Sequence, residues 1–222
     1  MNKIDDRIIL ILFFLTTIIN YFFVYIYVNP FTGFIVSGRP IFYMVPFAFS
    51  SYLCFGIVLM SAILYLKTKN IKYDLILLSS TQIGVVVGAI TICIGMIWAK
   101  VEWGYFWQWE ARETATLIMW LAYTALLVFR EMIEEQDHEK KAVLSAVFGI
   151  LVSPSIPLSN FVVGALHPEP QRTELSTGID LILMFNFFYI GTITLILIFI
   201  TFRVNKLDLK LKEIRKIKME IT

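Results

Sequence analysis

Six stretches of the chain run almost without charge, at roughly 8–28, 41–66, 74–99, 114–130, 142–165 and 179–202. Each approaches or exceeds the ~20 residues that a helix needs to cross a bilayer. Their apolar positions are continuous rather than alternating, which argues for helices that satisfy their own backbone hydrogen bonds in lipid and against a barrel. The fourth run is short, and Thr114, Thr116 and the aromatic segment ahead of it are expected to extend its helix. The pattern predicts an all-α, polytopic membrane protein with six transmembrane helices, forming a single integral-membrane domain followed by a basic tail at 203–222. No small-residue cleavage site follows the first run, so it is expected to be a retained helix rather than a signal peptide.

Composition agrees with this class. Of 222 residues, 58% are hydrophobic and 16% charged, and the mean hydropathy is +0.76. A soluble domain would carry nearer a quarter charged residues. The net charge of +2 is less informative than its distribution. Fifteen Lys and Arg fall at the N-terminus, in the 67–73 and 130–141 connections and in the tail, against four on the other side: Arg39, Lys100, Arg112 and Arg172. The positive-inside rule then puts both termini in the cytoplasm of a multi-pass cell (inner) membrane protein, with the connection between the third and fourth spans outside.

The cytoplasmic connections carry little chemistry. "KTKNIK" is a short basic turn, and "REMIEEQDHEKK" is a mixed-charge loop or helix extension in which His138 is expected to be solvated. The tail segment "KLDLKLKEIRKIKM" intersperses apolar residues with lysines. It suits a helix end lying on anionic lipid or touching a partner. Cys54 and Cys93 lie within apolar runs, with neither a CxxC nor a CxxCH motif, and are expected to be packing residues with no surface exposure. No nucleic-acid partner is expected.

The external connection is different. All five tryptophans fall between Trp98 and Trp120, and Trp103, Trp107 and Trp109 lie in "EWGYFWQWEARE" with Gly104 and Glu110. An interfacial aromatic belt is one reading, since Trp and Tyr favour the headgroup level. The other is a platform. In a helical turn, Trp103 and Trp107 would be i, i+4 neighbours, and their rings could make a flat apolar shelf for a large planar ligand.

"WGYFWQWEARET" resembles the tryptophan-rich signature W-G-x-x-W-x-W-D, followed by a basic residue and a threonine, of the haem-handling proteins of cytochrome c maturation. The matching residues are Trp103, Gly104, Trp107, Trp109, Glu110, Arg112 and Thr114. Six spans in so short a chain resemble the CcmC-type (haem exporter C) members more than the larger ones. "FYMVPFAFSSY" and "LSNFVVGALHPE" look like that family's second span and third external loop, which extends the similarity from about residue 40 to 200.

The resemblance implies a haem resting on the tryptophan shelf between two external histidines. The third-loop histidine corresponds to His167; a neutral imidazole is a common iron ligand. The first-loop histidine is absent, and Met44 in "YMVP" stands in its place beside Tyr43. A thioether is a recognised axial partner of haem iron. His167/Met44 ligation and His167 with an open or externally supplied position both remain. Glu110 replaces the usual aspartate, keeping the charge and lengthening the reach. Arg39, Arg112 and Arg172 can pair with haem propionates or anchor to lipid headgroups.

The function so implied is non-enzymatic. It is non-covalent binding of haem b at the outer membrane face and delivery to a CcmE-type haem chaperone during c-type cytochrome biogenesis. CcmA/CcmB ABC-type components, a small CcmD-type subunit and membrane lipid would be partners. The alternatives are a haem lyase-like subunit that attaches haem to apocytochrome c, a small-solute transporter, and a structural subunit with an aromatic belt. Against a solute pathway, the spans are nearly free of charge at mid-depth.

Overall fold

A computed structural model describes residues 18, 19, 22, 41–133, 138–159 and 177–221. Among these residues the chain is helical: α1 (Ile41–Thr68), α2 (Ile71–Trp103), α3 (Ala111–Met132), α4 (His138–Val152) and α5 (Thr177–Ile221). A short helical segment at 155–159 follows α4. Five helices are long and apolar enough to cross a membrane. The sixth expected span, 8–28, lies almost wholly outside the described residues; Ile18, Ile19 and Phe22 are helical and exposed.

Each boundary has a local cause. After α1, Lys69 takes a left-handed φ of 52° and donates its N–H to Tyr65 O, and Asn70 caps α2 by accepting from Lys72 N–H at 3.1 Å. This two-residue turn sets α1 and α2 side by side, and they form the most extensive helix contact. α4 stops ahead of Pro154, which has no N–H for the Ile150 carbonyl. Ser153 supplies replacements, its N–H at 3.2 Å and its Oγ at 2.8 Å. The expected fifth span at 142–165 is thus a helix from 138, a break at 153–154 and a further helical segment to 159.

One expectation is corrected here. The aromatic segment before Thr114 does not extend the fourth span, because α3 begins at Ala111 and residues 104–110 are not helical. The basic tail is the end of the last helix. α5 continues unbroken for 45 residues, about 68 Å at ~1.5 Å per residue, more than twice a ~30 Å hydrocarbon core.

The core is built around α1, against side chains of α2, α3, α4 and α5. Phe55 and Tyr123 stack at 3.7 Å and 7°, among Cys54, Val58, Leu77 and Leu126. Two glycines allow this packing. A Cβ on Gly84 would meet Phe55 at 2.6 Å, and one on Gly88 would meet Trp120 Cδ1 at 2.9 Å. In that space Trp120 Nε1 donates to Val85 O at 2.8 Å. Close approach at small residues is how helices associate where lipid provides no hydrophobic drive. Large apolar side chains such as Phe49, Met60, Val86, Leu121 and Phe188 face outward, as a lipid-facing surface requires. Cys54 is buried, but Cys93 is exposed, which corrects the expectation that both would be inside.

The antiparallel order of α1 to α3 places the turn at 69–70 and the end of α3 at one end, and residues 104–110 at the other. Asn205 Nδ2 donates to Ser79 Oγ and Gln82 Oε1, so the basic half of α5 lies at the 69–70 end. Among the described residues, the 69–70 turn, Arg130 and the basic half of α5 therefore share one end.

Candidate functional site

The tryptophan-rich connection begins where α2 ends. Gly104 adopts the left-handed conformation at φ 85° and its N–H donates to Lys100 O, a helix stop that a residue with a Cβ makes at a cost. Lys100 reinforces it: Nζ donates to Gly104 O at 2.7 Å and lies 5.3 Å from the Phe106 ring centre. The chain then re-enters helix at Ala111. Glu110 is the N-cap residue without a side-chain cap bond. Glu113 Oε2 instead accepts from Gln108 N–H at 2.9 Å, fastening the loop to the first turn of α3.

Sequence reading did not single out Glu113. The available signal was an acidic residue three positions after the N-cap, where a carboxylate reaches back to unsatisfied N–H groups.

The rings do not form the expected i, i+4 shelf. The helix ends at Trp103, so Trp107 lies beyond it. The indoles instead pair edge to face: Trp98 with Trp103 at 4.8 Å and 69°, and Trp107 with Trp109 at 5.8 Å and 84°. Trp109 has a φ of 59°, rare for a bulky residue. It is 70% exposed, and Trp103 is 41% exposed. Tyr105 and Phe106 also face outward. The surface is an aromatic cluster with angled faces. Nε1 of Trp98 and of Trp107 are buried and have no hydrogen-bond acceptor among the described residues.

Of the other expected site residues, Arg112 is exposed in the first turn of α3, next to the cluster. Met44 is half-buried near the start of α1, its Sδ 3.5 Å from where a Cβ on Gly95 would lie. Gly95 is one helical turn before Trp98, so Met44 sits close to the inner edge of the aromatic cluster. His167, Arg39 and Arg172 lie outside the described residues. His138 opens α4 and is exposed.

At the opposite end lies a feature the sequence reading passed over. Arg130 donates through Nη1 and Nη2 to the two carboxylate oxygens of Asp74, each at 2.6 Å, with both residues buried. The pair borders a cavity of about 270 Å³ that His138, Lys141, Asn205 and Asp208 also line. It is about 44 Å along α2 from Trp103 at ~1.5 Å per residue, too far to act on the aromatic cluster directly.

Among known proteins, residues 6–167 match the family described as cytochrome C assembly protein, an interval that includes Met44, the tryptophan motif and His167. The chain belongs to that family. The match starts well before residue 40 and ends before 200, so the family likeness is placed further toward the N-terminus than the motifs alone suggested.

A ccmC-like cytochrome c biosynthesis mitochondrial protein of Marchantia polymorpha is 29% identical over 155 residues, covering 68% of this chain and 64% of that one. Heme exporter protein C of Haemophilus influenzae is 26% identical over 140 residues, 63% of this chain and 57% of that one. Cytochrome c biogenesis protein CcsA of Thermosynechococcus vestitus is 40% identical over 77 residues, 33% and 24% of the two chains. This cytochrome c assembly family protein is a CcmC-type member and a multi-pass membrane protein. It spans roughly half to two thirds of the CcmC-like relatives' length, between 47% and 64%.

Proposed function

We propose that this protein binds haem b non-covalently at the tryptophan-rich end, on the outer face of the membrane, and passes it to a CcmE-type chaperone in c-type cytochrome maturation. The observation that carries the reading is the outward-facing aromatic cluster of Trp103, Tyr105, Phe106 and Trp109 at the end of the bundle opposite the basic connections. Haem is a large apolar plane with two anionic groups at one edge, and the residues fit both properties. The exposed rings offer apolar faces, while exposed Arg112 beside them offers guanidinium donors for carboxylates. The relatives named heme exporter protein C support the same cargo.

In this reading His167 and Met44 would hold the haem iron, through an imidazole nitrogen and a thioether sulfur. A His/Met set raises the iron potential relative to His/His. The loop's fastening by Glu113 and Lys100 keeps the rings presented before cargo arrives, so binding requires less ordering of the chain. Exposure of Trp103 and Trp109 leaves an open face from which a partner can take the cargo. CcmA/CcmB and CcmD-type subunits would complete the assembly, and both termini would be cytoplasmic.

The test is spectroscopic. Purified protein should carry a Soret band that His167→Ala abolishes and Met44→Ala shifts, with a lowered reduction potential. A colourless wild type after haem addition would overturn the proposal, and an unchanged Met44→Ala spectrum would remove Met44 from it. A covalent-attachment assay with apocytochrome c should be negative for this chain alone, distinguishing delivery from ligation.

A further inference from the structure

Pro46 lies inside α1 and is fully buried. In an unbroken helix the Phe42 carbonyl accepts from the N–H of residue 46, and proline has none. Another helix provides the donor. Asn186 on α5 donates its Nδ2 to Phe42 O at 3.0 Å, and the two residues are 0% and 2% exposed respectively. A carboxamide buried in an otherwise apolar span is costly without partners, as is a carbonyl without a donor in lipid. The two needs meet here, 144 residues apart in sequence. Between Phe42 and Pro46 stands Met44, with its Sδ against Gly95 of α2.

We infer that Asn186 is a positioning residue, an interhelical donor that substitutes for the N–H missing at Pro46 and holds the first turns of α1, with Met44, in place against α2. Its consequence for cargo rests on the haem reading above, but the clamp itself does not. Without it the first turns of α1 carry an unsatisfied carbonyl and open more often, taking Met44 with them. The proline has a role in this arrangement. By withholding an intrahelical donor, it leaves the Phe42 carbonyl for α5 and so ties the start of one span to the first turns of another.

The experiment uses the full chain in detergent micelles, with two independent readouts. The first is the rate of Met44 oxidation by hydrogen peroxide, followed by mass spectrometry, with buried Met119 and exposed Met132 as internal references. Asn186→Leu should raise the Met44 rate by on the order of tenfold while leaving the reference rates unchanged. The decisive variant adds Pro46→Ala, which restores an N–H four residues after Phe42. In the Asn186→Leu background it should return the Met44 rate close to wild type.

An unchanged Met44 rate in Asn186→Leu overturns the inference, and so does failure of Pro46→Ala to restore it, since a simple packing role for Asn186 would not respond to a backbone donor. Should Asn186→Leu fail to fold, the double variant folding in its place supports the clamp, and its failing as well overturns it. The second readout is the haem spectrum and potential of the same variants, which should change and recover in parallel. Oxidation that responds while the haem signals do not would uphold the clamp and overturn Met44 as a ligand.

Discussion

At the scale of single residues, the informative positions are those where a missing atom is used. Gly104 was legible as part of the motif, but its role is conformational: at φ 85° it stops α2 and aims the tryptophan loop. Gly104→Ala should cost about 1 kcal/mol in reversible unfolding, from strain in the left-handed region, and should weaken haem retention through the displaced loop. Gly88 carries no motif and could not be picked out from the chain, since its importance depends on Trp120, which lies on another helix. Gly88→Val should destabilise the fold by about 1–3 kcal/mol through overpacking and should alter the Trp120 fluorescence environment, with little change at the aromatic cluster. Met44 was legible only through the resemblance, whereas the partnership of Pro46 and Asn186 could not be read from either residue alone.

At the scale of elements, the apolar runs predicted α1, α2 and α3 to within a few residues, because a bilayer helix is defined by length and hydropathy. Hydropathy did not show where backbone chemistry bends or prolongs a helix. Pro154 interrupts the fifth run although apolar residues continue beyond it, and the last helix continues through the lysines of "KLDLKLKEIRKIKM" because nothing there breaks a helix. The buried Asp74–Arg130 pair joins the start of α2 to the end of α3. Removing one partner, as in Arg130→Met, should destabilise the protein by about 3–5 kcal/mol, while replacing both, as in Asp74→Leu with Arg130→Met, should recover most of that loss. Denaturant titration of the single and double variants in detergent checks this. Recovery would show that the cost is that of an unpaired buried charge, and no recovery would assign it to lost geometry.

At the scale of the whole molecule, helix order separates the basic end from the aromatic end. Applied to whole cells, a membrane-impermeant thiol reagent should label Tyr105→Cys, while Lys210→Cys should react only after lysis; the reverse pattern would invert the orientation, since charge bias alone assigns the sides. Exposed Cys93 should be replaced in both variants. By itself, the sequence determined that the chain is a bundle of membrane helices and that three of its five tryptophans crowd into one connection. Length, hydropathy and a local motif are properties of neighbouring residues and survive in one dimension. Tertiary structure alone decided that the indoles pair edge to face instead of forming a flat shelf, that Asp74 finds Arg130, and that a proline's missing donor is supplied from the last helix. Each of those depends on atoms from segments far apart in the chain, whose meeting is fixed by helix crossings at residues such as Gly84 and Gly88 rather than by any pattern that sequence order preserves.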